Sequence, residues 1–340
     1  MPTKVLIIRF SSIGDIVLTT PVIRGVKRQL GAEVHFLTKA SFAVVVRANP
    51  YVDRLWTIKK DIKEIAKDLT GIRFDYVIDL HGNLRTLEVK ARLFLSAAWH
   101  LRPRPHISRF DKLNFRKYLL TRFGIDRLPK VHIVDRYLAA AAPLGVQNDG
   151  QGLDYFIGPE DRVSLEDEGL PPFYLAFVIG AAHATKRLTE AQISQFCATF
   201  GHAVVLLGGP GDREVGERIA AANTNTSNAC GHFSLGGSAD LLRQATVVVT
   251  HDTGLMHIAA ALRKPIISVW GNTVPNFGMY PYLPGQEELE KTRRQEVLDL
   301  PCRPCSKIGF QACPKGHFQC ITGQDPAALA SFAASLLRDG

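Results

Sequence analysis

Val247-Val248-Val249-Thr250-His251-Asp252-Thr253-Gly254-Leu255-Met256-His257 is the stretch whose reading decides the fold. The β-branched apolar run fits an interior strand of a parallel sheet, buried on both faces. Asp252, Thr253 and Gly254 then supply a turn and a helix start, and Leu255, Ile258, Ala259 and Leu262 continue at helical spacing. Such a helix end offers unpaired amides and the positive end of a dipole, which together suit a phosphate. Gly254 removes the side chain that would keep a diphosphate from the backbone. Taken alone, the same residues also describe an ordinary capped helix after a strand.

A second loop of the same kind lies at the other end of the chain. A strand from Lys4 to Phe10 leads through Ser11-Ser12-Ile13-Gly14-Asp15 into a helix carrying Ile16, Thr19, Thr20, Ile23 and Val26, with Pro21 inside its first two turns, where a missing amide donor costs least. An acid at the top of a strand, beside a glycine and two hydroxyls, faces the crevice where open α/β sheets bind ligands. A capping role for Asp15 would be worth roughly 0.3–1 kcal/mol.

Working outward, two series of alternating strands and helices emerge. The first has strands near Lys4–Phe10, Glu33–Thr38, Leu55–Ile58 and Tyr76–Leu80; the second restarts at Phe173–Ile179 and continues with His202–Leu207, Ser227–Ala229, Thr246–Thr250 and Pro265–Trp270. This alternation predicts two parallel sheets covered on both faces, an α/β chain of two Rossmann-like, doubly wound domains. Gly145 to Pro172, rich in glycine, proline and acids, reads as the linker. The predicted boundaries are 1–158 and 159–325, followed by a last helix in 326–340.

The 340 residues suffice for two domains and a large core, and the net charge of +9 points to anionic partners. Nucleic acid, anionic lipid and phosphorylated sugar all fit that charge. A basic nucleic-acid-binding protein ranks last, because no binding module or basic-aromatic stripe is recognisable. No phosphate loop of the Gly-x-x-x-x-Gly-Lys-Ser/Thr type and no Gly-x-Gly-x-x-Gly after the first strand is present, which disfavours a nucleotide-hydrolysing motor or an NAD enzyme. The N-terminus reads as a strand rather than a signal peptide, and no apolar run approaches a membrane span. A cytoplasmic monomer is expected, with any contact with the inner membrane peripheral.

Phe10-Ser11-Ser12-Ile13-Gly14-Asp15 and His251-Asp252-Thr253-Gly254-Leu255-Met256-His257, with Asp79-Leu80-His81-Gly82-Asn83-Leu84-Arg85 and the segment around Lys186 between them, resemble the bacterial heptosyltransferases of glycosyltransferase family nine. The likeness spans nearly the whole chain. It implies the GT-B arrangement, two such domains facing across a cleft, with the last helix in 326–340 crossing back to the first domain. It also implies an inverting transfer of heptose from an ADP-heptose donor to an anionic lipopolysaccharide inner-core acceptor. Other nucleotide-sugar transferases and epimerases of the same fold are the alternative; the Ser-Ser-Ile-Gly-Asp loop favours transfer to an acceptor.

Inversion needs a base on the acceptor hydroxyl and a holder for the departing diphosphate. Asp15 is the candidate base, kept ionised by Arg9 and the helix start, and the family gives the matching aspartate this role. For the leaving group, the amides of Thr253 and Gly254 and the Thr253 hydroxyl supply donors. The resemblance adds Lys186 as the phosphate contact, with neighbouring Arg187 as the other candidate, and Glu214 as the reader of the ribose, with Asp212 a helix cap. Asp252 and His257 complete the donor set. On the first domain Ser11, Ser12, His81, Arg85 and Arg136, beside a basic region containing Arg102, Arg104, Arg109 and Arg116, are candidates for a phosphorylated acceptor.

No cofactor and no catalytic metal is expected, because no Asp-x-Asp pair marks a metal-diphosphate site. Cys302, Cys305, Cys313 and Cys320 share one short basic segment. One Cys-x-x-Cys and two further cysteines suit structural zinc, reduced thiols or, against the expected compartment, disulfides.

Overall fold

The structure, a computed structural model, describes residues 2–285 and 292–338. The chain forms two compact units: residues up to Lys112 with Ile133–Phe156, and Leu113–His132 with the described residues from Ile157 onward.

In the first unit β1 (Lys4–Ile8), β2 (Glu33–Lys39), β3 (Arg54–Ile58), β4 (Tyr76–Asp79) and β5 (His106–Arg109) form a parallel sheet in the order β3-β2-β1-β4-β5. Leu6, Ile8, Phe10, Leu37, Trp56 and Val77 pack one face into a core, and Val5 and Ile7 on the other face are fully buried as well, which is why Val5–Ile8 is apolar without alternation. Ile8 pairs with Leu37 on one side and Asp79 on the other. Strand order therefore reverses at the carboxyl ends of β1 and β4, the place where open sheets bind ligands.

The second unit repeats the plan with β6 (Leu175–Val178), β7 (Val204–Leu207), β8 (Thr226–Asn228), β9 (Val247–His251), β10 (Ile266–Trp270) and β11 (Thr292–Glu296) in the order β11-β10-β9-β6-β7-β8, all parallel. Val178 pairs with Leu207 and Thr250, so here the reversal lies between β6 and β9. Phe177, Phe196, Val249 and Val269 belong to its core.

Several elements differ from their expected form. The expected helix after Ser12 is two, Ile13–Val17 and Thr20–Leu30. The Thr19 and Thr20 hydroxyls donate to the Ile16 and Val17 carbonyls at 2.7 Å, and Pro21 opens the second helix rather than sitting inside the first. The linker is shared between the units. Its first part is held to the first unit by Arg24, 1% exposed, which donates to Asp149 at 2.7 Å, to the Gly152 carbonyl at 2.9 Å and to Asp154. The helix Asn114–Phe123 groups with the second unit. The last helix, Pro326–Arg338, puts Leu329, Ala330 and Ala333 into the second unit's core. Among the described residues no helix is long and apolar enough to cross a membrane.

Candidate active site

At the end of β1 the chain turns through Arg9–Ser12 into the short helix Ile13–Val17. Arg9 is 8% exposed and spends every nitrogen: Nη1 donates to the Leu80 carbonyl at 2.5 Å, Nε to the Ser11 carbonyl at 2.7 Å, and Nη2 meets Asp15 Oδ1 at 2.7 Å. Its contact with Leu80 ties the β1 loop to the β4 loop across the switch point. Asp15 Oδ2 accepts the Ser12 amide at 3.2 Å and the Ser12 hydroxyl at 2.9 Å. Burial pushes the Asp15 carboxyl up, but the Arg9 charge and the two Ser12 donors outweigh it and hold the group below the usual carboxylate range. An oriented, ionised carboxylate therefore stands at the top of β1. Of the two serines expected to contact the acceptor, Ser12 engages its hydroxyl and Ser11 its carbonyl in building it.

The β4 loop is organised from below by buried Asp79. Its Oδ1 accepts the amides of His81 at 3.1 Å and Gly82 at 2.7 Å, and its Oδ2 meets Lys90 at 2.7 Å. Gly82, at φ +62°, supplies the left-handed turn that aims both amides at one oxygen. Asn83 caps the helix Leu84–Trp99 by accepting the Thr86 amide at 2.9 Å. His81 lies edge-on to Phe10 at 5.4 Å, and Arg85 lies over the same ring at 5.8 Å. Burial, then the positive charges of Arg9 and Lys112, lowers His81 to about 4, so the imidazole is neutral near pH 7. Phe10 thus gathers His81 and Arg85 beside the Arg9–Asp15 pair. Arg136 does not join them directly: it donates to the Asp111 carbonyl at 2.5 Å and lies over Phe110. It connects to Arg9 through Phe110 and Tyr137, whose rings meet at 4.7 Å.

In the second unit the same topology brings the loops after β6 and β9 together. Lys186 ends a single 3-10 turn, Ala184–Lys186, and its Nζ meets Asp252 Oδ2 at 2.6 Å. That oxygen also accepts the Thr273 hydroxyl at 2.9 Å. Thr253 precedes the helix Gly254–Ala261 in an extended conformation, and its side chain makes no capping bond to that helix. The helix amides are therefore not taken by their own cap residue. Below them His251, fully buried, accepts the Leu188 amide on Nε2 at 3.0 Å, stitching the two loops. Burial first, and then the Arg187 charge, lowers its imidazole to about 3.

Lys186 and its neighbour Arg187 take different partners. Arg187 turns away to Asp212 at 3.1 Å, while Asp212 also accepts the Gly209 amide at 2.9 Å. Lys186 alone of the pair reaches the Asp252-Thr253-Gly254 turn. Glu214 stands exposed in the first turn of the helix Arg213–Ala222. His257, one turn along the helix Gly254–Ala261, is buried at 2% exposure.

A supporting loop escaped the sequence reading. Gly271-Asn272-Thr273 follows β10, and Gly271 lies so close to the Lys186 turn that a Cβ there would sit 2.2 Å from the Thr185 carbonyl oxygen. Asn272 exchanges bonds with Thr185, its amide donating at 3.0 Å and its Oδ1 accepting the hydroxyl at 2.9 Å. Buried Arg303 fixes the loop by donating to the Gly271 and Thr273 carbonyls at 2.5 and 2.8 Å. The available signal was a glycine and an asparagine directly after a buried strand.

All six cysteines are free thiols. Cys302 Sγ lies 3.6 Å from His317 Nε2, and Cys313, although raised by what burial it has, is lowered overall by the amides of residues 315–318. Among the described residues no three His, Cys, Asp or Glu side chains converge to hold a metal ion.

The model of glycosyltransferase family 9 (heptosyltransferase) matches residues 62–307. Lipopolysaccharide heptosyltransferase 1 of Pseudomonas aeruginosa is 29% identical over 334 residues, covering 89% of this chain and 86% of that protein. The glycosyl transferase family 9 structure from Veillonella parvula superposes with a TM-score of 0.76 at 23% identity, over 99% of this chain and 98% of that one. The E. coli heptosyltransferase WaaC with ADP gives a TM-score of 0.66 at 22% identity, over 99% and 98%. These structures share the fold of two parallel sheets with covering helices, the GT-B type. With the family model spanning well over half of its length, the chain belongs to glycosyltransferase family 9, the heptosyltransferases.

Proposed function

We propose that this enzyme transfers heptose from ADP-heptose to a lipopolysaccharide inner-core acceptor by a single inverting displacement, with Asp15 as general base and without a divalent metal. The observation that carries the reading is the Asp15 carboxylate, ionised and aimed at the carboxyl end of β1 by Arg9 and Ser12. The relative from P. aeruginosa is a lipopolysaccharide heptosyltransferase, and the E. coli neighbour is described with ADP. Both support the substrate classes.

In the reaction Asp15 accepts the proton of the acceptor hydroxyl as its oxygen bonds to the anomeric carbon. The bond from that carbon to the β-phosphate oxygen breaks on the opposite face, so configuration inverts and ADP leaves with the electron pair. Arg9, by stabilising the carboxylate, makes it a weak base, and proton transfer falls late along the displacement. Lys186, held in place by Asp252, and the amides at Thr253 and Gly254 stabilise the departing diphosphate. These donors take the part a cation plays at an Asp-x-Asp site. Asp252 positions Lys186, and Glu214 is placed on the ribose. His81 and Arg85, with Arg136 behind them, bind the anionic acceptor, where arginine's planar fork suits phosphate.

The experiment is a donor screen with deacylated core acceptor, read by product mass and by the anomeric configuration of the new linkage. Heptose transfer from the ADP-sugar with inverted configuration, undiminished by a chelator, supports the reading. A retained configuration, a different donor sugar, or reversible loss on chelation with the fold intact overturns it.

A further inference from the structure

We propose that the outer face of the helix Leu84–Trp99 is the surface by which this enzyme docks on an anionic lipid bilayer. The inner face of the helix is ordinary: Thr86, Val89, Leu93 and Ala97 are buried, and Val89 and Leu93 belong to the first unit's core. The outer face is not. Leu84, Leu87, Leu95 and Trp99, 58–86% exposed, recur at the spacing of one helical stripe, and Leu101 just beyond the helix is 95% exposed. Ala91 and the Glu88–Arg92 pair interrupt this face in its middle turns, leaving Leu84 and Leu87 at one end and Leu95, Trp99 and Leu101 at the other. Single exposed leucines need no explanation, but two such clusters on one helix face, the second containing a tryptophan, do.

Charge decides what covers the stripe. From Leu84 to Phe110 the chain holds Arg85, Lys90, Arg92, Arg102, Arg104 and Arg109 against one acid, Glu88. Glu88 is neutralised by Arg92 at 2.8 Å, and Lys90 points inward to Asp79. Arg104 lies over Phe94, at 5.7 Å from its ring centroid. Two copies of this face would bring like charges together, whereas anionic headgroups complement them. An apolar stripe rimmed by arginines, with tryptophan at its end, is the pattern of a helix lying in a membrane interface. The stripe begins one residue after Asn83, so docking would set the His81–Arg85 loop beside the bilayer. On the reading above, that is where a lipid-linked acceptor is presented; vesicle binding itself does not depend on that reading.

The test is co-flotation of the full-length enzyme with vesicles of phosphatidylglycerol and phosphatidylethanolamine, or of phosphatidylcholine alone, without donor or acceptor. The enzyme should float with the anionic vesicles and not with the neutral ones. Leu95→Glu with Trp99→Glu should lower partitioning at least tenfold while leaving the thermal melt and the turnover of a water-soluble deacylated acceptor unchanged. Arg102→Gln and Arg104→Gln should each lower it by about fivefold, less at high salt. Unaltered flotation of the Leu95→Glu, Trp99→Glu protein overturns the proposal. So does a wild-type dimer that this variant dissociates while neither protein binds vesicles, which would assign the face to a second copy. Since no nucleotide sugar is present, a failure here leaves the transfer reaction untouched, and a failed donor screen leaves flotation untouched.

Discussion

Replacing Lys186 by methionine tests the diphosphate site through a partner the ligand never has to touch. Methionine keeps most of the apolar stem and removes the charge, and the side chain is only 14% exposed, so water replaces it poorly. Two losses follow. The direct one is a charge-assisted bond to phosphate, worth about 1.5–3 kcal/mol, or roughly a 10- to 150-fold rise in the Kd of ADP. The indirect one is Asp252, whose carboxylate loses its 2.6 Å partner, keeps only the Thr273 hydroxyl at 2.9 Å among these two, and then faces the diphosphate as a like charge. Adding Asp252→Asn to Lys186→Met should therefore restore part of the affinity, so that the double variant binds ADP more tightly than the single one. Calorimetry with ADP at low and high salt reads all of this, and the wild-type affinity should show the steeper salt dependence. Wild-type affinity in Lys186→Met, or a double variant weaker than both singles, would refute the arrangement.

Two further outcomes concern the first unit. Burial raises the Asp15 carboxyl, and Arg9 and Ser12 together pull it below its ordinary value. In Arg9→Met burial is opposed by Ser12 alone, so the acid limb of kcat/KM should move to higher pH. The stability that the depressed carboxyl contributes is present above its unfolded value and lost as pH falls through the folded one, and this variant should lose it too. A pH–rate profile with an unmoved acid limb would contradict the Arg9 assignment. Arg85→Ala should raise the KM for the acceptor and leave ADP affinity nearly unchanged; equal weakening of ADP binding by Arg85→Ala and Lys186→Met would break the division of labour between the units.

Much of this was legible because it rests on local pattern. Val5–Ile8 of β1 and Val247–Val249 of β9 are unbroken apolar runs, as strands buried on both faces commonly carry. The loops that follow them carry Asp15 and Asp252-Thr253-Gly254 at the carboxyl ends where strand order reverses. What was missed depends on long-range contact or on edges. β5 (His-Ile-Ser-Arg) and β11 (Thr-Arg-Arg-Gln-Glu) close one edge of each sheet, where polar side chains meet solvent and no hydrophobic period survives. The break at Thr19-Thr20 is set by hydroxyls returning to the preceding turn, which propensity alone does not resolve. Lys186 and Arg187 are neighbours in sequence, and only the placement of Asp212 and Asp252 assigns them different partners. The burial of His257 comes from the packing of its helix, which its place in the motif does not show.

The central claim is that Asp15 removes the acceptor proton, and the most direct test is Asp15→Asn, assayed on one preparation for ADP binding and for heptose transfer to deacylated core acceptor. The amide keeps the size of the side chain but cannot take the proton. ADP affinity should stay close to wild type in a variant that remains folded, with a lowered thermal melt because buried Arg9 loses its ion-pair partner, while the rate of transfer falls by about two to four orders of magnitude. Transfer at a near wild-type rate by the Asn variant would show that another group is the base.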